Sequence, residues 1–220
     1  MKFRRTFAGV AVAAALAATS LTGFSGAQAS TVKPAAATGT KSLAAVLAPY
    51  AGKWDTNWND YNIVTHAVFA VLKAKPKSAV GVLANGKVAL TAFVPNDRAF
   101  QILVKQLTGK TLTSEKAVFA AVAKLGIPTI EAVLLYHVVP GATITSSMAL
   151  KANKVALKTA EGAYIRVAVL AGPKIVLVDR DPFIANPKVI LSQVDINKGN
   201  RQIAHGIDRV LLPLPIKPVA

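Results

Sequence analysis

The apolar residues of this chain change their spacing partway along it, and that change restricts the fold more than any other feature. Ile63, Val64, Ala67, Val68, Val71 and Leu72 recur at i, i+4, i+8 and i+1, i+5, i+9, which makes one stripe on a helix, with Asp60 or Asn62 as its N-cap. Phe100, Leu103, Val104 and Leu107 form a second stripe, opened by Asn96 with Asp97 in the first turn and closed at Gly109. A third helix runs from Glu115 to Leu125 and stops at Gly126, and Pro128 opens a fourth through Ile130, Val133 and Leu134. From Lys154 the period falls to two, over Val155–Thr159, Tyr164–Val169, Lys174–Val178 and a last strand from about Gln202 to Leu212. Helices come first and strands mostly later, without regular alternation, so the predicted class is α+β.

Three local features complete that reading. Leu43, Ala44, Val46 and Leu47 form a short helix before Pro49, and Tyr136–Val139 becomes extended before the Pro140-Gly141 turn. Val80–Ala84, Asn85-Gly86 and Lys87–Val94 read as a hairpin, because Asn-Gly readily takes the positive φ of a tight turn. No segment repeats, which predicts a single copy of one unit.

The N-terminus reads as an export leader. Lys2, Arg4 and Arg5 precede an apolar stretch from Phe7 to about Leu21, and Ala27-Gln28-Ala29 supplies the small-x-small cleavage pattern. Thr19, Ser20, Thr22 and Gly23 interrupt the apolar run, so stable membrane insertion is not expected. The predicted organisation is a leader at 1–29, a flexible lead-in and linker at 30–58, the domain at 59–214 and a tail at 215–220. The chain contains no cysteine, so neither a disulfide framework nor a lipidated cysteine is available to the exported form. Secretion, with non-covalent retention at the cell surface as the variant, is the expected destination.

The full chain carries a formal charge of +16, and +13 without Lys2, Arg4 and Arg5. Lysines are dispersed rather than blocked, which favours salt-sensitive attraction to polyanions such as wall polymers, acidic polysaccharide or phospholipid headgroups. Nucleic acid does not fit an exported chain lacking interleaved basic and aromatic residues. The 53% hydrophobic composition suggests the alternative of a carrier for a small apolar ligand, held in a cleft between helices and sheet.

Catalytic signatures are missing: no serine nucleophile elbow, glycine-rich phosphate loop or His-Glu-x-x-His occurs. A non-catalytic protein without cofactor or metal is expected. His66, His137 and His205 share no zinc spacing; alternation along strands predicts that His137 and His205 are buried and hydrogen-bonded, and His66 solvated. Asp179 and Asp181 flank Arg180 without an EF-hand pattern. Trp54 and Trp58 are the only tryptophans, and their proximity offers either a carbohydrate stacking platform or a dock for the linker.

Three segments carry a resemblance. Thr91, Phe93, Pro95, Asp97, Ala99 and Phe100 match the Thr-x-Phe-x-Pro-x-Asp-x-Ala-Phe motif of fasciclin (FAS1) domains. Tyr136 and His137, with Val138, Pro140 and Gly141, are similar to the family's central Tyr-His and turn. His205, Ile207, Asp208, Val210, Leu211, Leu212 and Pro213 resemble its final motif. The resemblance runs from about Asn59 to Pro213. It implies a FAS1-like fold, a twisted sheet or β-sandwich wedge with several helices packed at one side. It also implies an extracellular adhesion or matrix-interaction module whose partners are cell-envelope polymers, polysaccharide or a surface protein. Some fasciclin domains engage receptors through an Asp-Ile pair, and Asp195-Ile196 stands at the corresponding place. Nothing in the sequence sets an oligomeric state.

Overall fold

In a computed structural model, residues 39–218 are described. The expected leader and the first part of the lead-in lie outside them. Helices α1 (Leu43–Leu47), α2 (Asn62–Ala74), α3 (Asp97–Thr108), α4 (Glu115–Ala123), α5 (Ile127–Tyr136) and α6 (Ser146–Ala149) accompany strands β1 (Leu90–Pro95), β2 (Val138–Pro140), β3 (Ala156–Lys158), β4 (Tyr164–Leu170), β5 (Lys174–Val178) and β6 (Gln202–Ile207). The strands form two three-stranded sheets, ordered β2-β1-β6 and β3-β4-β5.

The first sheet is the middle layer. Both β1 and β6 are buried at every position, whereas β4 begins with strict exposed–buried alternation. Alternation along β1 assigns its two faces: Leu90, Ala92 and Val94 join the helix-side core, and Phe93 joins the core between the sheets. The segment 187–190 ties the layers together. Leu177 N–H donates to the Pro187 carbonyl and Val189 N–H to the Ile175 carbonyl, both at 2.9 Å, while Ile190 N–H reaches the Gly206 carbonyl at 2.8 Å.

Residues 80–94 do not form the expected hairpin. Ala79–Ala84 is a 3-10 helix that buries Val80 and Leu83, three residues apart on one face. Strand β1 instead pairs in parallel with β6, Leu90 to Gln202 through Pro95 to Ile207, and antiparallel with β2. Asn85-Gly86 does make a turn, closed by Val88 N–H on the Asn85 carbonyl at 3.0 Å, but Gly86 is not at positive φ and what it supplies is close approach, since a Cβ there would overlap the Thr40 carbonyl.

The lead-in also belongs to the fold from Gly39 onward. Leu43 and Leu47 are core residues, and Leu43 N–H donates to Gln202 Oε1 at 2.8 Å. The short helix forms as the sequence predicts, capped by Ser42 Oγ accepting from Ala45 N–H. The last strand is shorter than expected: residues 208–212 leave β6, with Val210 and Leu212 in the helix-side core and Leu211 in the core between the sheets.

Candidate functional site

Helix α2 is capped from a distance. Its cap position is Tyr61, which makes no side-chain cap, so neither Asp60 nor Asn62 plays the expected part. The Asp97 carboxylate takes the cap instead: Asn62 N–H donates to Oδ2 at 3.0 Å and Ile63 N–H to Oδ1 at 2.7 Å. Asn96 caps α3 through Ala99 N–H at 3.0 Å. Asp97 N–H donates to the Asp60 carbonyl, and Arg98 N–H to the Trp58 carbonyl. Loop 57–61 is thereby laced to the start of α3.

Around that junction lie Asp55, Asp60 and Glu115, each with a carboxylate oxygen within 4.8 Å of the others. Glu115 Oε2 accepts from Asp55 N–H and from Asn62 Nδ2, both at 3.0 Å. Burial pushes the Glu115 carboxyl above its ordinary range; burial, then the neighbouring Asp60 carboxyl, pushes Asp97 up to about 8. The sequence offered a partial signal here, an Asp- and Asn-rich run before a helix. It gave no hint that Asp97 and Glu115 join it.

The two tryptophans sit beside this cluster, both half-buried against the helix core. Trp54 stacks on His66, centroids 3.8 Å apart and planes 9° from parallel, which corrects the expectation of a solvated histidine. Trp58 faces the Arg98 guanidinium, 5.5 Å from its ring centre.

The motif histidines are structural bolts. Nδ1 of His137 lies 2.7 Å from the Val133 carbonyl, which can only accept, so the proton is on Nδ1; Nε2 then accepts from Leu211 N–H at 3.0 Å. Burial pulls this imidazole down to about 4, with only the Val133 bond opposing. His137 is the C-cap of α5 in helical rather than extended backbone, yet it is buried as expected. On β6, His205 uses the opposite tautomer, Nε2 against the Ile144 carbonyl at 2.8 Å and Nδ1 accepting from Asp195 N–H at 3.3 Å. Burial lowers it as well.

The remaining motif residues fix loops to sheets. Thr91 Oγ1 donates to the Ala142 carbonyl and accepts from Ile144 N–H, both at 2.8 Å. Tyr136 is fully buried and donates its hydroxyl to the Tyr164 carbonyl at 3.0 Å. Asp208 Oδ1 accepts from Lys188 N–H at 2.7 Å, and Pro95 ends β1. Asp195 has positive φ, 55°, and holds the N-terminus of α6 through Ser146 N–H at 2.7 Å and Ser146 Oγ at 2.9 Å. Burial raises its carboxyl, but the Ser146 bonds, His205 and Lys198 outweigh that and leave it below its ordinary range. Ile196 is half-buried and bridges Ala204.

A pocket opens between helices and the C-terminal segment. Phe100, Leu103, Val122, Ile130 and Val133 form one wall, Val210, Leu212 and Ile216 the other, and the lining surface is apolar. Its volume is about 570 Å³, open to solvent. Carboxylates fasten the segment that covers it: Asp179 Oδ2 accepts from Leu212 N–H at 2.8 Å, and Asp181 Oδ2 from Ile216 N–H at 2.6 Å. Neither the pocket nor this clamp was legible in the sequence.

With the layered α+β architecture and its bolts in place, comparison with known proteins settles the family. The model of the fasciclin domain matches residues 64–213, and the chain belongs to that family. Its fold is also that of a solved FAS1 domain pair from the insect cell adhesion molecule Fasciclin I, with a TM-score of 0.53 and 19% identity. The match covers 79% of this chain and 51% of that one, so the chain spans about half the length of the pair. No curated protein matches this chain.

Proposed function

We propose that this protein is a secreted or surface-held adhesion module that binds polyanionic or carbohydrate partners through its basic exterior. The observation that carries this reading is a segregation of charge. Every lysine among the described residues is exposed, as is every arginine except Arg209, whereas Asp55 and Glu161 alone among the acids are exposed. The remaining acids are turned toward backbone N–H groups, toward one another or, at Glu131, toward Lys75 and the Ser78 hydroxyl, so the outer surface is more cationic than the formal charge conveys. Such a field concentrates anionic partners and weakens within a Debye length of about 8 Å at physiological salt. Family membership supports a non-catalytic module outside the cell, and the adhesion role of the insect protein is the analogy for it. The proposed contact regions besides the lysines are the Asp195-Ile196 bridge and the Trp54–Trp58 loop. The test is retention of residues 30–220 on an envelope fraction across a salt series. Retention that falls steeply with salt is the expected result, and no retention at low salt would remove the reading.

The apolar pocket favours a second reading, an extracellular carrier of a small apolar ligand. Its prediction is lipid or pigment that co-purifies and is detected by mass spectrometry after solvent extraction. Clean extracts would eliminate it.

A further inference from the structure

We propose that Asp55, Asp60, Glu115 and Asn62 form a site for a hard divalent cation of the Ca²⁺ type, at the junction of α2, α3 and α4. Three observations converge on it.

The first is geometric. One oxygen each from Asp55, Asp60 and Glu115 lies within 4.8 Å of the others. Two ligands of one Ca²⁺ at bond lengths of roughly 2.3–2.6 Å can be at most about 5 Å apart, so the three fit a common ion.

The second is independent of the acids. Asn62 is not charged, is wholly buried and has its amide inside the cluster, with Nδ2 donating to Asp55 Oδ2 and Glu115 Oε2. Its Oδ1 has no hydrogen-bond partner, and neither do the buried Glu115 Oε1 and Asp60 Oδ1. Orphaned buried acceptors are costly, about 1–3 kcal/mol each and more for charged groups. A half-turn of the Asn62 amide exchanges its two atoms, trading the two Nδ2 bonds for an acceptor presented to the same space. A cation there satisfies the orphaned Glu115 and Asp60 oxygens directly and the Asn62 oxygen once the amide has turned.

The third is charge. In a chain of net +16, four of the ten acids (Asp55, Asp60, Asp97 and Glu115) meet at this junction. None of them is among the ion pairs of the described residues, which join Lys75 to Glu131, Lys198 to Asp195 and Arg209 to Asp208. Lysine abounds on the surface and does not come here. Asp97 is occupied with the α2 cap and is not a ligand. The exposed approach at Asp55 leaves room for water to complete the six to eight oxygens that Ca²⁺ takes.

Trp54 and Trp58 flank Asp55, so terbium(III), a Ca²⁺ surrogate, reports occupancy by emission sensitised through tryptophan. Residues 30–220 are titrated with Tb³⁺ after chelator treatment, and Ca²⁺ is then used to compete it off. Melting is recorded with Ca²⁺ at about 10 mM and with chelator. The expected result is saturable sensitised emission, Ca²⁺ competition at about 0.1–1 mM as in other extracellular modules, and a Tm rise of a few degrees. Asp55→Asn, at an exposed position, should weaken binding at least tenfold, and Glu161→Gln, at a distant exposed acid, should leave it unchanged. Absence of both emission and a Ca²⁺-dependent Tm rise in the unaltered protein overturns the proposal. So does binding that Asp55→Asn leaves intact.

Discussion

Replacing His137 by Phe should produce a stability loss that is large at neutral pH and nearly gone at pH 4. At pH 7 the neutral imidazole satisfies two buried backbone groups, the Val133 carbonyl and Leu211 N–H. Phe matches its bulk but bonds neither, and leaving buried groups unpaired costs about 1–3 kcal/mol apiece, so the expected loss is on the order of 2–4 kcal/mol. The pH term follows from linkage. The folded-state value is depressed to about 4 from 6.5, so the unfolded chain binds the extra proton between those values. The contribution of His137 is therefore complete above pH 6.5 and is lost as pH falls through 4. A shift of that size corresponds to about 3 kcal/mol, at 1.36 kcal/mol per unit. Asp179 works in the opposite sense: burial raises it to about 6, so its contribution is present below pH 3.8 and is lost as pH rises through 6. The wild-type curve alone is thus a sum of opposing slopes, whereas the difference between wild type and variant isolates His137. Urea unfolding followed by tryptophan fluorescence at several pH values from 4 to 7 gives that difference. A gap that stays constant over the range would refute the buried, neutral imidazole.

Gly206→Ala should cost about 1–3 kcal/mol in urea unfolding, because the new Cβ lands 2.5 Å from Gln193 Oε1 and 2.6 Å from the Tyr61 hydroxyl; an unchanged midpoint would contradict that contact. Gly86→Ala should unseat the segment from Gly39 to Leu43, exposing it to limited proteolysis, since backbone rather than a flexible side chain blocks the added atom. Asp181→Ala removes the acceptor for Phe183, Ile184 and Ile216 N–H and should destabilise by about 2–4 kcal/mol, with early protease cutting after Leu212 as the marker.

What the sequence revealed and what it hid divide along physical lines. The stripes of α2 and α3 were readable because a 3.6-residue period is written into adjacent residues. The strands β4 and β5 were equally local, with alternation bounded by turns. Val80–Ala84 misled because its apolar residues fit a strand or a 3-10 turn equally well, and the arbiter was tertiary: β1 found its partner in β6, more than a hundred residues away. Asn85-Gly86 is a turn as its chemistry suggested, but it joins a 3-10 helix to a strand rather than two strands, and the glycine also admits Thr40. His137 and His205 are buried as expected but not through strand alternation, since His137 ends α5 in helical backbone and every position of β6 is buried; their bonding partners were not legible. The acidic junction was legible only in its Asp- and Asn-rich run, for the same reason as the parallel pairing, since Asp97 and Glu115 reach it from separate helices.

The parallel pairing of β1 with β6 also sets the order in which the molecule can be completed. The strand that completes the middle layer is made after the other five, and until it arrives β1, with Leu90, Ala92 and Val94, has only the three-residue β2 beside it. Loops of this size close slowly, so the chain has a long interval as an unfinished, threadable polymer. A product ending at Lys198 should therefore show no cooperative melt, even though it retains α1–α6 and five of the six strands.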